Sequence, residues 1–133
     1  MAFIEWDIPD HVVRGRKMMK NEVNLYKMKG YNTVTFNQYL TNLFLEKGLE
    51  CISIREDDIT GEIGFVISKD RGLKLSVTGD RKQKNLRLNN RTWVEKLHLK
   101  LGKQVGKRNI LELTENLSRK EDVLFYKIIN HGK

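Results

Sequence analysis

Apolar and polar positions alternate along most of the chain, and the alternation breaks twice into helical spacing. Val23, Leu25 and Tyr26 among Asn24 and Lys27 predict a strand over Val23 to Met28, and Thr33 to Phe36 predicts a second after the turn Lys29-Gly30-Tyr31-Asn32. Asn37 then stands where a helix N-cap would accept an orphan backbone N–H. Leu40, Leu43, Phe44 and Lys47 follow at helical spacing before Gly48 ends the helix. Cys51 to Ile54 and Ile63 to Ile67 flank a polar turn, Glu56 to Gly61, and predict a hairpin.

The same order returns after Lys69-Asp70-Arg71-Gly72. Leu73 to Val77 alternates as a strand, a basic connection runs from Gly79 to Lys84, and Leu86-Arg87-Leu88 is the next strand. Asn89 and Asn90 occupy the capping place. Trp93, Val94, Leu97 and Leu101 form a helical stripe ending at Gly102, and Ile110 to Leu113 with Val123 to Ile128 close a second hairpin across the polar turn Thr114 to Asp122. The expectation is an α+β, mainly β domain spanning 1–133, with two tandem ββαββ repeats (23–68 and 73–129) in one small cradle-type barrel and an N-terminal arm over 1–22. Within the arm, Asp10 can cap a short helix, but Arg14-Gly15-Arg16 weakens its middle.

Composition supports a packed domain: 133 residues, 39% hydrophobic, with a single proline. No apolar run approaches the length of a membrane helix and the first ten residues are acidic, so a soluble, cytoplasmic protein is expected. Cys51 is the only cysteine and has no internal disulfide partner. It reads as a small buried hydrophobe.

The charge changes the picture more. The formal net charge is +8, and between Arg81 and Arg108 ten basic residues face one acid, Glu95. From Arg14 to Lys29 six basic residues face only Glu22. Two segments this lopsided predict a face for a polyanion, because each phosphate neutralised by Lys or Arg releases condensed counterions.

Chemistry for catalysis is not legible. His11, His98 and His131 are scattered, Glu56-Asp57-Asp58 lies in a hairpin turn without the spaced ligands of a calcium loop, and no phosphate-binding glycine loop occurs. The expectation is a non-enzyme with no cofactor and no metal site. Trp6, with Phe3 and Ile4 in the acidic N-terminal segment, either packs back on the barrel or docks a partner.

Strand, short Asn-initiated helix ending in Gly, then a hairpin resembles the swapped-hairpin domain of AbrB-type transition-state regulators and MazE-type antitoxins, in which two ββαββ chains interleave into one barrel. The resemblance implies DNA contact by basic residues around the first strand pair and the helix start, here Lys27 and Lys29 in the first half and Arg81, Lys82, Lys84, Arg87 and Arg91 in the second. The chain departs from that pattern at Asn37-Gln38-Tyr39, where a proline is usual, and in a longer loop after the second helix.

A double-stranded-DNA-binding protein, a transcriptional regulator as monomer or homodimer, is the leading expectation. Lys82, Lys84, Lys100, Lys103 and Lys107 are assigned to phosphates, with Arg108 in the same stretch. Arg81, Arg87 and Arg91 are assigned to base edges. The alternative is a small phage- or mobile-element-type interaction protein that inhibits or modifies a host nucleic-acid enzyme through a protein partner.

Overall fold

The structure, a computed structural model, describes residues 21–79, 84–120 and 122–129. Its elements are β1 (Glu22–Met28), β2 (Tyr31–Phe36), α1 (Gln38–Lys47), β3 (Cys51–Glu56), β4 (Ile63–Ser68), β5 (Leu73–Lys74), β6 (Ser76–Gly79), β7 (Lys84–Asn89), α2 (Arg91–Leu101), β8 (Asn109–Leu113) and β9 (Val123–Ile129). The strand expected over Leu73 to Val77 is thus two strands, broken at Leu75, whose N–H is donated to the Glu50 carbonyl at 2.7 Å. The first strand takes in Glu22, which the sequence had assigned to the arm.

The strands form one antiparallel sheet in the order β5-β3-β4-β9-β8-β1-β2-β7-β6. Its outermost members, β5 and β6, are successive pieces of one backbone run, so the sheet curls until its two edges nearly meet. The result is a barrel-like, mainly β fold. Alternate residues point inward: Val23 and Leu25 from β1, Val34 and Phe36 from β2, Leu86 and Leu88 from β7, Leu111 and Leu113 from β8. Strand β4 departs from this period because it is buried on both faces. Gly64 there leaves room for the Phe125 ring of β9, which an added Cβ would strike.

Both helices are set by sequence. The Asn37 side chain accepts from the Leu40 N–H and that of Asn90 from the Trp93 N–H, each at 2.9 Å, while Gly48 and Gly102 end the helices at φ 71° and 64°. The second cap is Asn90 and not Asn89. Leu40 and Phe44 from α1 and Val94 and Leu97 from α2 enter the core, where Phe36 meets Phe44 edge-on at 5.3 Å and Phe65 at 6.1 Å. Truncating Phe36 to alanine would cost about 3–5 kcal/mol, combining lost transfer energy with the cavity left behind. Among the described residues no helix is long and apolar enough to cross a membrane.

Candidate nucleic-acid interface

Four backbone arrangements gather basic side chains at one end of the barrel. The β1–β2 turn carries Lys29, and Lys27 is the penultimate residue of β1. The first residue of α2, Arg91, faces that turn across a cleft lined by Gly30, Tyr31, Asn32, Thr33, Asn89 and Asn90. The loop after α2 is tied to the same place, because the Gly106 N–H is donated to the Lys27 carbonyl at 2.6 Å. The Asn109 side-chain amide lies within hydrogen-bonding distance of the carbonyls of Leu25, Gln104 and Lys107 at 3.3, 3.1 and 3.0 Å, which folds the loop onto β1. Lys103, Lys107 and Arg108 are carried along with it.

Among the described residues Glu95 is the one carboxylate paired with cations of this strip. One of its oxygens lies 3.1 Å from Arg91 Nε and the other 3.6 Å from Lys27 Nζ, which also donates to Asn32 Oδ1 at 2.9 Å. Lys29, Lys103, Lys107 and Arg108 have no ion-pair partner among the described residues. The strip therefore keeps a strong positive excess, and the first-turn N–H groups of α2 add to it.

The structure separates other residues that the sequence grouped. Lys84 begins β7 and Arg91 follows its end, with about 17 Å of strand between Lys84 and Asn89 at about 3.4 Å per residue. Lys84 stands instead beside the start of α1, where Gln38 Nε2 donates to its carbonyl at 2.9 Å. Arg81 and Lys82 lie outside the described residues. Arg87 is in mid-strand on the outer sheet face, paired with Thr35 on one side and Ser76 on the other, and its Nε is buried without a partner. Lys100 turns away from the strip to pair with Glu56 of β3.

The same outer sheet face carries Tyr26 and Tyr31 nearer the β1–β2 turn, the latter 59% exposed. Strand parity could have placed them there; the loop-folding role of Asn109 had no sequence signal. His98 is buried, with Nδ1 3.0 Å from the Val94 carbonyl, so that nitrogen carries the proton and the ring is a packing residue. Cys51 is half-buried rather than enclosed. Val94 and Leu97 of the tryptophan stripe are core, as expected, while Trp93 and Leu101 stay partly exposed. Among the described residues no His, Cys, Asp and Glu group is arranged to hold a metal. His11, His131 and Trp6 lie outside them. No protein-family model matches the chain, and no curated protein or solved structure is significantly similar to it.

Proposed function

We propose that this protein is a non-enzymatic, double-stranded-DNA-binding regulator that seats the phosphate backbone along Lys27, Lys29, Lys103, Lys107 and Arg108. The observation that carries this reading is the strip itself: Lys27 of β1 and Arg91 of α2 flank one carboxylate, Glu95, and the loop after α2 that carries Lys103, Lys107 and Arg108 is bonded through the Gly106 N–H to the Lys27 carbonyl. Phosphate contacts position a duplex, and Arg87 and Arg91 are the residues assigned to base edges.

The proposal includes an internally duplicated ββαββ barrel of the swapped-hairpin kind. Strand pairing supports it, because exchanging β1, β2, β3 and β4 for the β5–β6 run, β7, β8 and β9 leaves every ladder in place. The β1–β2 ladder becomes β6–β7, β1–β8 becomes β5–β3, β3–β4 becomes β8–β9, and β2–β7 and β4–β9 map onto themselves. The Asn caps and left-handed glycine ends of both helices follow the same exchange.

The test is a duplex titration at several salt concentrations. Log affinity is expected to fall linearly with log salt, with a slope of roughly −0.9 per phosphate neutralised. Undetectable affinity at low salt, or affinity without a salt slope, overturns the reading.

A further inference from the structure

We propose that the groove between the outer flank of α2 and the β3–β4 hairpin is a binding site for a small amphipathic carboxylate with a planar apolar body. The groove has a volume of about 210 Å³, and Ile54, Ile63, Trp93 and Leu97 form its apolar walls. A cavity of about 150 Å³ is enough for benzene, so this one admits a fused two-ring body. Trp93 supplies a partly exposed aromatic face against which such a body can lie offset.

The rim fixes the charge of the ligand. Lys96 and Lys100 stand one helical turn apart beside the groove. Lys100 is already neutralised by Glu56, whereas Lys96 has no ion-pair partner among the described residues. One free ammonium over an apolar floor selects an apolar body with one negative charge. Against α1 the equivalent groove has Tyr39, Leu43, Leu113 and Tyr126 as walls but Glu112 and Glu115 at its rim. Apolar walls accompany both helices, and the free cation belongs to the α2 groove alone among the described residues. The site faces away from Arg91 and Glu95, so it stands independently of the DNA reading.

The experiment uses the full chain labelled with nitrogen-15 and follows the indole N–H signals of Trp6 and Trp93, assigned through Trp6→Phe. The probes are 1-naphthoate, its neutral analogue 1-naphthalenemethanol and the cation 1-naphthylmethylamine. A saturable shift of the Trp93 signal is expected, strongest for the carboxylate and weakest for the amine. Lys96→Gln should weaken 1-naphthoate about two- to fivefold, the range of an exposed ion pair, and leave the alcohol unchanged. The amide spectrum of each variant verifies its fold. No saturable Trp93 shift, equal binding of the three probes, or a Lys96→Gln variant that binds 1-naphthoate like the parent would each overturn the assignment.

Discussion

Glu95 lies between Lys27 and Arg91, with its two carboxylate oxygens 3.6 Å and 3.1 Å from their nitrogens. An acid placed so holds two cations in register but opposes any phosphate that approaches them. Glu95→Gln should therefore tighten duplex binding and steepen the salt slope by about one. Folding stability should move by no more than about 1 kcal/mol, since Arg91 and Glu95 are exposed and the partly buried Lys27 keeps its bond to Asn32. Weaker duplex binding by a folded Glu95→Gln variant would remove the strip as the contact surface.

Arg87 should show stability and binding moving in opposite directions. Its Nε is buried without a partner, and a lone buried donor costs about 1–3 kcal/mol. Arg87→Met keeps the apolar stem and removes that donor, so urea unfolding should show equal or greater stability. If Arg87 reads a base, affinity for the cognate duplex should fall by about 1–3 kcal/mol.

Asn109 connects the loop to the strip. With its amide near the carbonyls of Leu25, Gln104 and Lys107, Asn109→Ala leaves those acceptors without it and should cost about 1–2 kcal/mol. Lys107 and Arg108 would then be held against β1 only by the Gly106 N–H bond and the β1–β8 ladder, so the salt slope should drop by up to about two. A destabilised variant with an unchanged slope would separate the loop from binding.

Burial raises the Tyr126 phenol to about 12 from its ordinary 10.0, and Tyr39 nearby adds to the shift. The unfolded chain releases this proton at lower pH than the folded chain does. The stabilisation is therefore complete below pH 10 and is lost as pH rises towards 12, a change of about 2–3 kcal/mol. Urea midpoints across that window should fall less steeply for Tyr126→Phe than for the parent; parallel curves would assign the alkaline loss to other groups.

Gly72 and Gly64 answer to different constraints. Gly72 has φ +94° and an added Cβ would run into the Ile52 carbonyl, so Gly72→Ala should cost about 2–4 kcal/mol. Gly64→Ala meets chiefly the edge of the Phe125 ring, with the Tyr126 carbonyl a looser contact, and should cost about 1–3 kcal/mol through overpacking. Thermal unfolding of the two variants ranks them, and the reverse order would show that the Phe125 ring has less freedom to move than the Gly72 backbone.

Most elements were legible because each obeys a local rule. The 2-residue period of β1, β2, β7, β8 and β9 marks an inward face, and Asn and Gly punctuate both helices through hydrogen bonds made within a few residues. What escaped depends on distant partners. The break at Leu75 exists because Glu50 takes its N–H, and Lys100 leaves the basic strip because Glu56 waits across the groove. Arg91 and Lys84 are close in sequence, yet a strand holds them apart, while Lys27 and Gly106 meet across 79 positions of chain. Charge density along the chain showed that a basic face was worth seeking, but only the fold assigns members to it.

The run from Leu73 to Gly79 is the clasp of the barrel. Its first 2 residues complete the edge beside β3 and its last 4 the edge beside β7, so little backbone at either end can recruit a foreign strand. A nick between Leu75 and Ser76 would leave β5 on β3 and β6 on β7 but divide the barrel into two fragments held together only through the β1–β8, β2–β7 and β4–β9 ladders. Those fragments can re-pair only with each other or with the matching piece of a neighbouring molecule, so proteolysis at this one bond turns a self-contained barrel into an exchange-competent pair.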